Sequence, residues 1–145
     1  MIAIGSDHGG YLLKEEIKKH LEEKGYDFKD LGTDSTASCD YPVYAEKVCN
    51  AIQSGECEKG ILVCGTGIGM SMCANKCKGI RAAVCGDHFS AEFTRKHNNA
   101  NVLCLGARVI GSGVAMQLVD IFLTTEFEGG RHEKRIKMMM ELENK

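Results

Sequence analysis

The residues best suited to chemistry lie in a few short polar clusters, and the sharpest is Cys64-Gly65-Thr66-Gly67-Ile68-Gly69-Met70-Ser71. Its three glycines alternate with other residues and open a helical pattern. Successive backbone N–H groups then face outward at a helix N-terminus, where negative charge is favoured. Cys64 stands where those groups and the helix dipole stabilise a thiolate, the reactive form of the side chain. A buried cysteine is otherwise an inert hydrophobe, and that description suits most of the other seven.

Three further clusters each admit two readings. In Ser6-Asp7-His8-Gly9-Gly10 the two ionisable side chains suit a ligand that approaches closely over glycine, or Asp7 simply caps a helix. In Arg95-Lys96-His97-Asn98-Asn99-Ala100-Asn101 the imidazole of His97 titrates near neutrality, as proton transfer requires, or is merely solvated. Asn98 holds a sugar hydroxyl or forms a local turn. In Gly129-Gly130-Arg131-His132-Glu133-Lys134-Arg135 the two arginines are four apart and leave one helix face together. They clamp a phosphate, or they belong to a solvated charged helix.

These clusters need elements to carry them. Apolar runs at 2–6, 26–31, 60–64, 80–85 and 102–105 read as strands, several of them apolar on both faces as in a buried parallel sheet. Amphipathic segments lie between. In the first, Leu12, Leu13, Ile17 and Leu21 form an apolar stripe while Lys14, Glu15, Lys18 and Glu22 face water, and Gly25 ends it. Further helices are expected at 44–53, 68–75, 90–97, 113–124 and 131–143, with Pro42 at a helix entry. The β-α-β-α rhythm predicts an α/β fold, a three-layer αβα Rossmann-like domain with a five-stranded doubly wound parallel sheet. Ligands of such sheets bind at the carboxyl ends of the strands.

A length of 145 residues predicts a single domain over 1–145. A net charge of −2 argues against a nucleic-acid partner. No apolar run approaches the roughly 20 residues of a membrane span. The start, Met1-Ile2-Ala3-Ile4-Gly5, is too short for a secretory signal. Eight cysteines are therefore read as free thiols of a cytoplasmic protein. There is no Cys-x-x-Cys pair and no two histidines at helical spacing, so neither zinc nor any other metal or cofactor is expected. A dinucleotide site is the competing explanation of the glycine loop, with Asp87 as its ribose acid. Met70 stands where the last glycine of that fingerprint belongs, and the loop follows the third strand rather than the first.

Taken together, the chain resembles the type B ribose-5-phosphate isomerase family, which includes galactose-6-phosphate isomerase subunits. The resemblance covers essentially the whole sequence. It rests on Ser6-Asp7-His8-Gly9-Gly10, Asp40-Tyr41-Pro42, Cys64-Gly65-Thr66-Gly67-Ile68-Gly69, His97-Asn98-x-Ala100-Asn101, Gly106-Ala107-Arg108 and Arg131-His132-x-x-Arg135. It implies a metal-independent interconversion of ribose 5-phosphate and ribulose 5-phosphate through an enediolate. It also implies a homodimer or dimer of dimers with active sites shared between subunits.

Carried onto this chain, the resemblance makes Cys64 the base that moves a proton between two carbons, with Thr66 assisting exchange between the oxygens. His97 with Asp7 opens the furanose ring. His8, Arg108, Arg131 and Arg135 hold the phosphate, and Tyr41 and Asn98 line the sugar. The amides from Gly67 through Ile68, Gly69 and Met70 to Ser71, beside Gly65, face the developing oxyanion. Some relatives carry a glutamate within the glycine loop in place of the cysteine; Met70 here puts this chain with the cysteine type. The last helix, about 131–143, is expected to touch a partner subunit. Two alternatives stay open: a six-carbon substrate such as allose or galactose 6-phosphate, and a nucleotide-binding module without catalysis. A thiol-dependent redox protein is disfavoured because no resolving cysteine lies near Cys64 in sequence.

Overall fold

A computed structural model describes residues Met1–Lys145. Five strands, β1 (Ile2–Ser6), β2 (Phe28–Asp30), β3 (Lys59–Cys64), β4 (Ala82–Val84) and β5 (Val102–Gly106), form one parallel sheet in the order β2-β1-β3-β5-β4. The helices are α1 (Tyr11–Glu23), α2 (Tyr41–Gln53), α3 (Ile68–Ala74), α4 (His88–Asn98), α5 (Ser112–Thr124) and α6 (Arg131–Glu141), followed by a 3₁₀ turn at Leu142–Asn144. This is the expected three-layer doubly wound arrangement. No helix is long and apolar enough to cross a membrane.

Side chains alternate across each strand, so the sheet has two cores. Ile2, Ile4, Ile61, Val63, Leu103 and Leu105 face one core with Leu13, Ile17 and Leu21 of α1 and Leu118, Val119 and Phe122 of α5. Ala3, Leu62, Cys64, Val102 and Cys104 face the other, with Val48 and Cys49 of α2 and Met70 and Ala74 of α3. Truncating one of these large buried side chains to alanine costs about 2–5 kcal/mol. The short strands β2 and β4 lie at the sheet edges, with one neighbour each. That is why they fall short of the predicted 26–31 and 80–85.

Two expectations for α1 are corrected. Leu12 is 67% exposed and outside the apolar stripe, whereas Lys14, expected in water, is fully buried. Its ammonium donates to Asp30 Oδ2 at 2.7 Å and to the Thr33 carbonyl at 2.9 Å. A buried charge needs such partners. Burial alone would raise the Asp30 carboxyl, but hydrogen bonds from Lys14, Lys18 and the Gly32 amide outweigh it and hold the group below its ordinary range. The tie joins α1 to β2 and to the loop that follows.

Parallel strands place all their carboxyl ends at one edge. The chain runs from β1 outward to β2, returns through α2 to β3, and so opens a crevice between the ends of β1 and β3.

Candidate active site

Cys64 ends β3 in that crevice. Its side chain points to the α2/α3 face, and the residue is only 6% exposed. The chain then turns sharply: Gly67 has φ 79°, a left-handed conformation that disfavours any side chain, and begins α3. The turn brings the Gly67 N–H back onto Cys64 Sγ at 3.1 Å. The sulfur, set at the margin of the apolar α2/α3 core, thus has an amide donor directed at it. Burial, with Cys77 adding to it, pushes Cys49 up to about 12, burial pushes Cys85 up to about 11, and burial drives Cys104 well above the ordinary thiol range.

The row of amides after Cys64 is narrower than the sequence suggests. Gly67 N–H serves the sulfur, Ile68 N–H donates to Thr66 Oγ1 at 3.2 Å, and Ser71 N–H makes the first helical bond to Gly67 O. Ser71 Oγ donates to Ile68 O at 2.7 Å. Gly69 and Met70 keep N–H groups without a partner in the chain, as expected in a first helical turn. Of the amides from Gly67 to Ser71, these two remain for an incoming oxygen. The Met70 side chain itself is buried in the core. Thr66 is exposed at the mouth. Tyr41, at the start of α2, lies so close over Gly69 that a β-carbon there would stand 2.7 Å from its ring.

The β1 end completes this group. Asp7 is nearly buried, and its Oδ1 accepts the Gly10 N–H at 3.1 Å; it ties the turn before α1 and is not the helix N-cap, which is Gly10 and has no side-chain cap. Gly10 itself allows close approach to the chain rather than to a ligand, since a β-carbon there would collide with the Val63 carbonyl. His8 Nδ1 accepts the Cys39 N–H at 3.2 Å, which leaves the proton on Nε2 free to donate. The loop after β5 is tied to the same place: Ala107 N–H donates to Cys64 O at 2.9 Å and Arg108 N–H to Gly65 O at 3.0 Å. The Arg108 guanidinium lies over Gly65 and Gly9. Thus Asp7, His8, Tyr41, Cys64, Gly65, Thr66, the glycine loop and Arg108 share one crevice.

His97, Asn98, Arg131 and Arg135 do not join them within one chain. α4 leaves β4 at the carboxyl edge and ends at Asn98, beside the start of β5, where Asn101 O receives the Gly60 N–H from the opposite end of β3. The five residues of β5, at about 3.3 Å each, put roughly 15 Å between the two edges. At this second edge His97 stacks on His132 with centroids 4.0 Å apart. Glu128 Oε1 lies 3.6 Å from His97 Nε2. Sequence reasoning gave no role to Glu128 or His132, because the group joins three elements and has no linear spacing. Desolvation, then His97, Arg131 and Arg135, hold the His132 imidazole below its ordinary range, against Glu128.

Asn98 is exposed and its side chain makes no hydrogen bond, whereas Asn99 and Asn101 are engaged with Arg95 and with the Arg81 amide. Arg108, Arg131 and Arg135 take part in no ion pair of the chain. Three unpaired guanidinium groups are what an anion would need.

Comparison with known proteins bears on this arrangement. The family model described as Ribose/Galactose Isomerase matches residues 2–139. Ribose-5-phosphate isomerase B of Escherichia coli is 47% identical over 144 residues, covering 99% of this chain and 97% of its own. A structure of ribose-5-phosphate isomerase B from Clostridium thermocellum is 51% identical and superposes with a TM-score of 0.97, covering 99% and 97% of the two chains. The Mycoplasma genitalium enzyme, solved with bound ribulose 5-phosphate, is 42% identical with a TM-score of 0.94, covering 99% and 96%.

Proposed function

The chain belongs to the ribose/galactose isomerase family, and we propose that it interconverts ribose 5-phosphate and ribulose 5-phosphate with Cys64 as the carbon base. The observation that carries this reading is the 3.1 Å contact from the Gly67 amide to Cys64 Sγ, made beside two unpartnered N–H groups. The thiolate takes the proton from C2 of the open-chain aldose, and the electron pair moves to the C1 oxygen. The Gly69 and Met70 amides face that oxyanion; losing one donor of this kind typically costs about 2.7–4 kcal/mol in the transition state. The thiol returns its proton to C1, and the Thr66 hydroxyl passes the O2 proton to O1. Charge and protons balance without a redox partner.

The phosphate is far from the reacting carbons, so its binding holds the chain in register for the proton transfer. His8 and Arg108 offer donors to it from the crevice, and Tyr41 walls the sugar. Ring opening by His97, with Asp7, together with the Arg131 and Arg135 clamp and Asn98, needs groups from the far edge of the sheet. A homodimer answers that need: a two-fold axis sets the α4–α6 edge of one subunit over the crevice of the other, twice. The exposed apolar side chains Ile68, Met72, Val84 and Phe89 and the uncovered α6 supply surface for such contact. On this reading residues 1–145 are one isomerase domain, working in the cytoplasm, where a catalytic thiol stays reduced.

Cys64→Ala tests the centre of the scheme. The isomerisation rate should fall by about 10³-fold or more while the far-UV dichroism stays that of the parent. Turnover near that of the parent would remove the sulfur from the mechanism. Measuring kcat/KM for five- and six-carbon phosphosugars on the same preparation decides which substrate the pocket prefers.

A further inference from the structure

The far edge of the sheet holds a set of metal-ligating side chains that the isomerase scheme does not use as a set. His97 comes from the end of α4, Glu128 from the segment between α5 and α6, and His132 from the first turn of α6. Each offers one ligand atom, and these atoms lie within 4.8 Å of one another. The backbone pins the three carriers together: Glu128 N–H donates to the Lys96 carbonyl at 3.1 Å and His132 N–H to the Gly129 carbonyl at 3.1 Å. The two imidazoles are already face to face, with an interplanar angle of 15°. Glu128 has no ion pair other than its 3.6 Å approach to His97, which is too long for a good hydrogen bond. The carboxylate and the His132 ring have no other partner to hold them; the His97 ring also meets the edge of Phe93 at 4.9 Å, and the stacked rings must rotate out of their near-parallel planes to face a common centre.

We propose that His97, Glu128 and His132 bind one divalent transition-metal ion, with zinc as the reference, and that this ion inhibits the enzyme. Two imidazole nitrogens and one carboxylate oxygen suit zinc, nickel, cobalt or copper, whereas calcium and magnesium prefer oxygen alone. Bonds of about 2.0–2.1 Å place tetrahedral ligand atoms about 3.3 Å apart, so these atoms must close by up to about 1.5 Å, within reach of side-chain rotation at half-exposed positions; water completes the coordination. Arg131 and Arg135 on the same helix oppose the cation, so the site is one that fills and empties rather than a permanent structural centre. The inhibitory part rests on the reading of His97 given above, because a metal on its nitrogen removes the group that opens the sugar ring.

The test titrates Zn²⁺ alone into chelator-stripped protein by calorimetry, with the parent, Cys64→Ala, Glu128→Gln and His132→Gln side by side. The parent and Cys64→Ala should each take one ion per chain with equal affinity, and the other two should bind about tenfold more weakly or not at all. No Zn²⁺ binding by the parent would overturn the site, and undiminished binding by both Glu128→Gln and His132→Gln would overturn it and assign the metal to the thiols. Inhibition is read separately on ribose 5-phosphate turnover. Zn²⁺ should slow the parent, EDTA should restore it, and Glu128→Gln, with its basal rate kept, should need about tenfold more metal. Binding without inhibition would sink the inhibitory role alone. An absence of isomerase activity would sink the function and leave the calorimetry standing.

Discussion

The crevice between β1 and β3 and the edge between α4 and α6 differ in how much of their geometry one chain supplies. In the crevice, backbone hydrogen bonds do the positioning. Gly67 N–H holds the sulfur, Gly10 N–H holds Asp7, Cys39 N–H holds His8, and the β5 loop is tied to Cys64 and Gly65. At the far edge no backbone hydrogen bond holds the side chains of His97, Glu128, His132, Arg131 or Arg135, and α6 buries none of its residues. The crevice is preorganised; the edge is an unfinished surface. Under the proposed scheme the difference is that the proton-transfer group has a rigid seat, while the groups that would grip the substrate's remote end would arrive with a second subunit.

Mixing two inactive variants is the strongest way to break that division. Cys64→Ala and His97→Asn should each be inactive alone. If sites are shared, a reassociated equal mixture should recover roughly a quarter of parental activity, because half the dimers then hold one intact site. A mixture as dead as its components would place both residues in the same subunit's site. Arg135→Ala sharpens the contrast from the phosphate side. We expect KM for ribose 5-phosphate to rise about tenfold or more with kcat little changed, the loss of one charge-assisted hydrogen bond of about 1.5–3 kcal/mol. An unchanged KM would leave the α6 edge without a phosphate role.

The rigidity of the crevice can be probed away from it. Asp30→Asn should lower stability by about 2 kcal/mol in urea unfolding at neutral pH, since the buried Lys14 then keeps only Glu15, 3.8 Å away, as a counter-charge. The Asp30 carboxyl is held below its ordinary value of 3.8, so its contribution is full above that pH and is lost as pH falls through the lower native value. The gap between parent and variant should therefore close only in acid. A gap that persists unchanged there would mean the tie is not ionic. The smallest effect expected is none: exhaustive chelation should leave the basal rate unreduced, and a requirement for added divalent metal would contradict thiolate proton transfer.

Much of this was legible in the residues, for reasons that also explain the gaps. Continuous apolar runs announce β1, β3 and β5, because a buried parallel strand leaves no room for polar side chains. The glycine loop announces itself because Gly67 needs its positive φ. Lys14 was misread since helical periodicity places it on the wet face, and only the arrival of Asp30 from β2 reverses that. The number of free amides was overestimated, because a turn tight enough to present N–H groups also spends some of them on its own sulfur and hydroxyl. The separation of His97 from Cys64 left a trace: a crossover helix that starts at the carboxyl edge must finish at the other. Glu128 and His132 are four apart but separated by Gly129-Gly130, so no helical spacing flags them, and nothing in the linear order points to either meeting His97 at the end of α4.

The bareness of α6 has one more consequence under the proposed assembly. A helix that finds no cover in its own chain leaves catalysis hostage to how many copies are present. Specific activity should then decline on dilution and recover with crowding of like chains, so gene dosage would set not merely the amount of enzyme but the competence of each molecule.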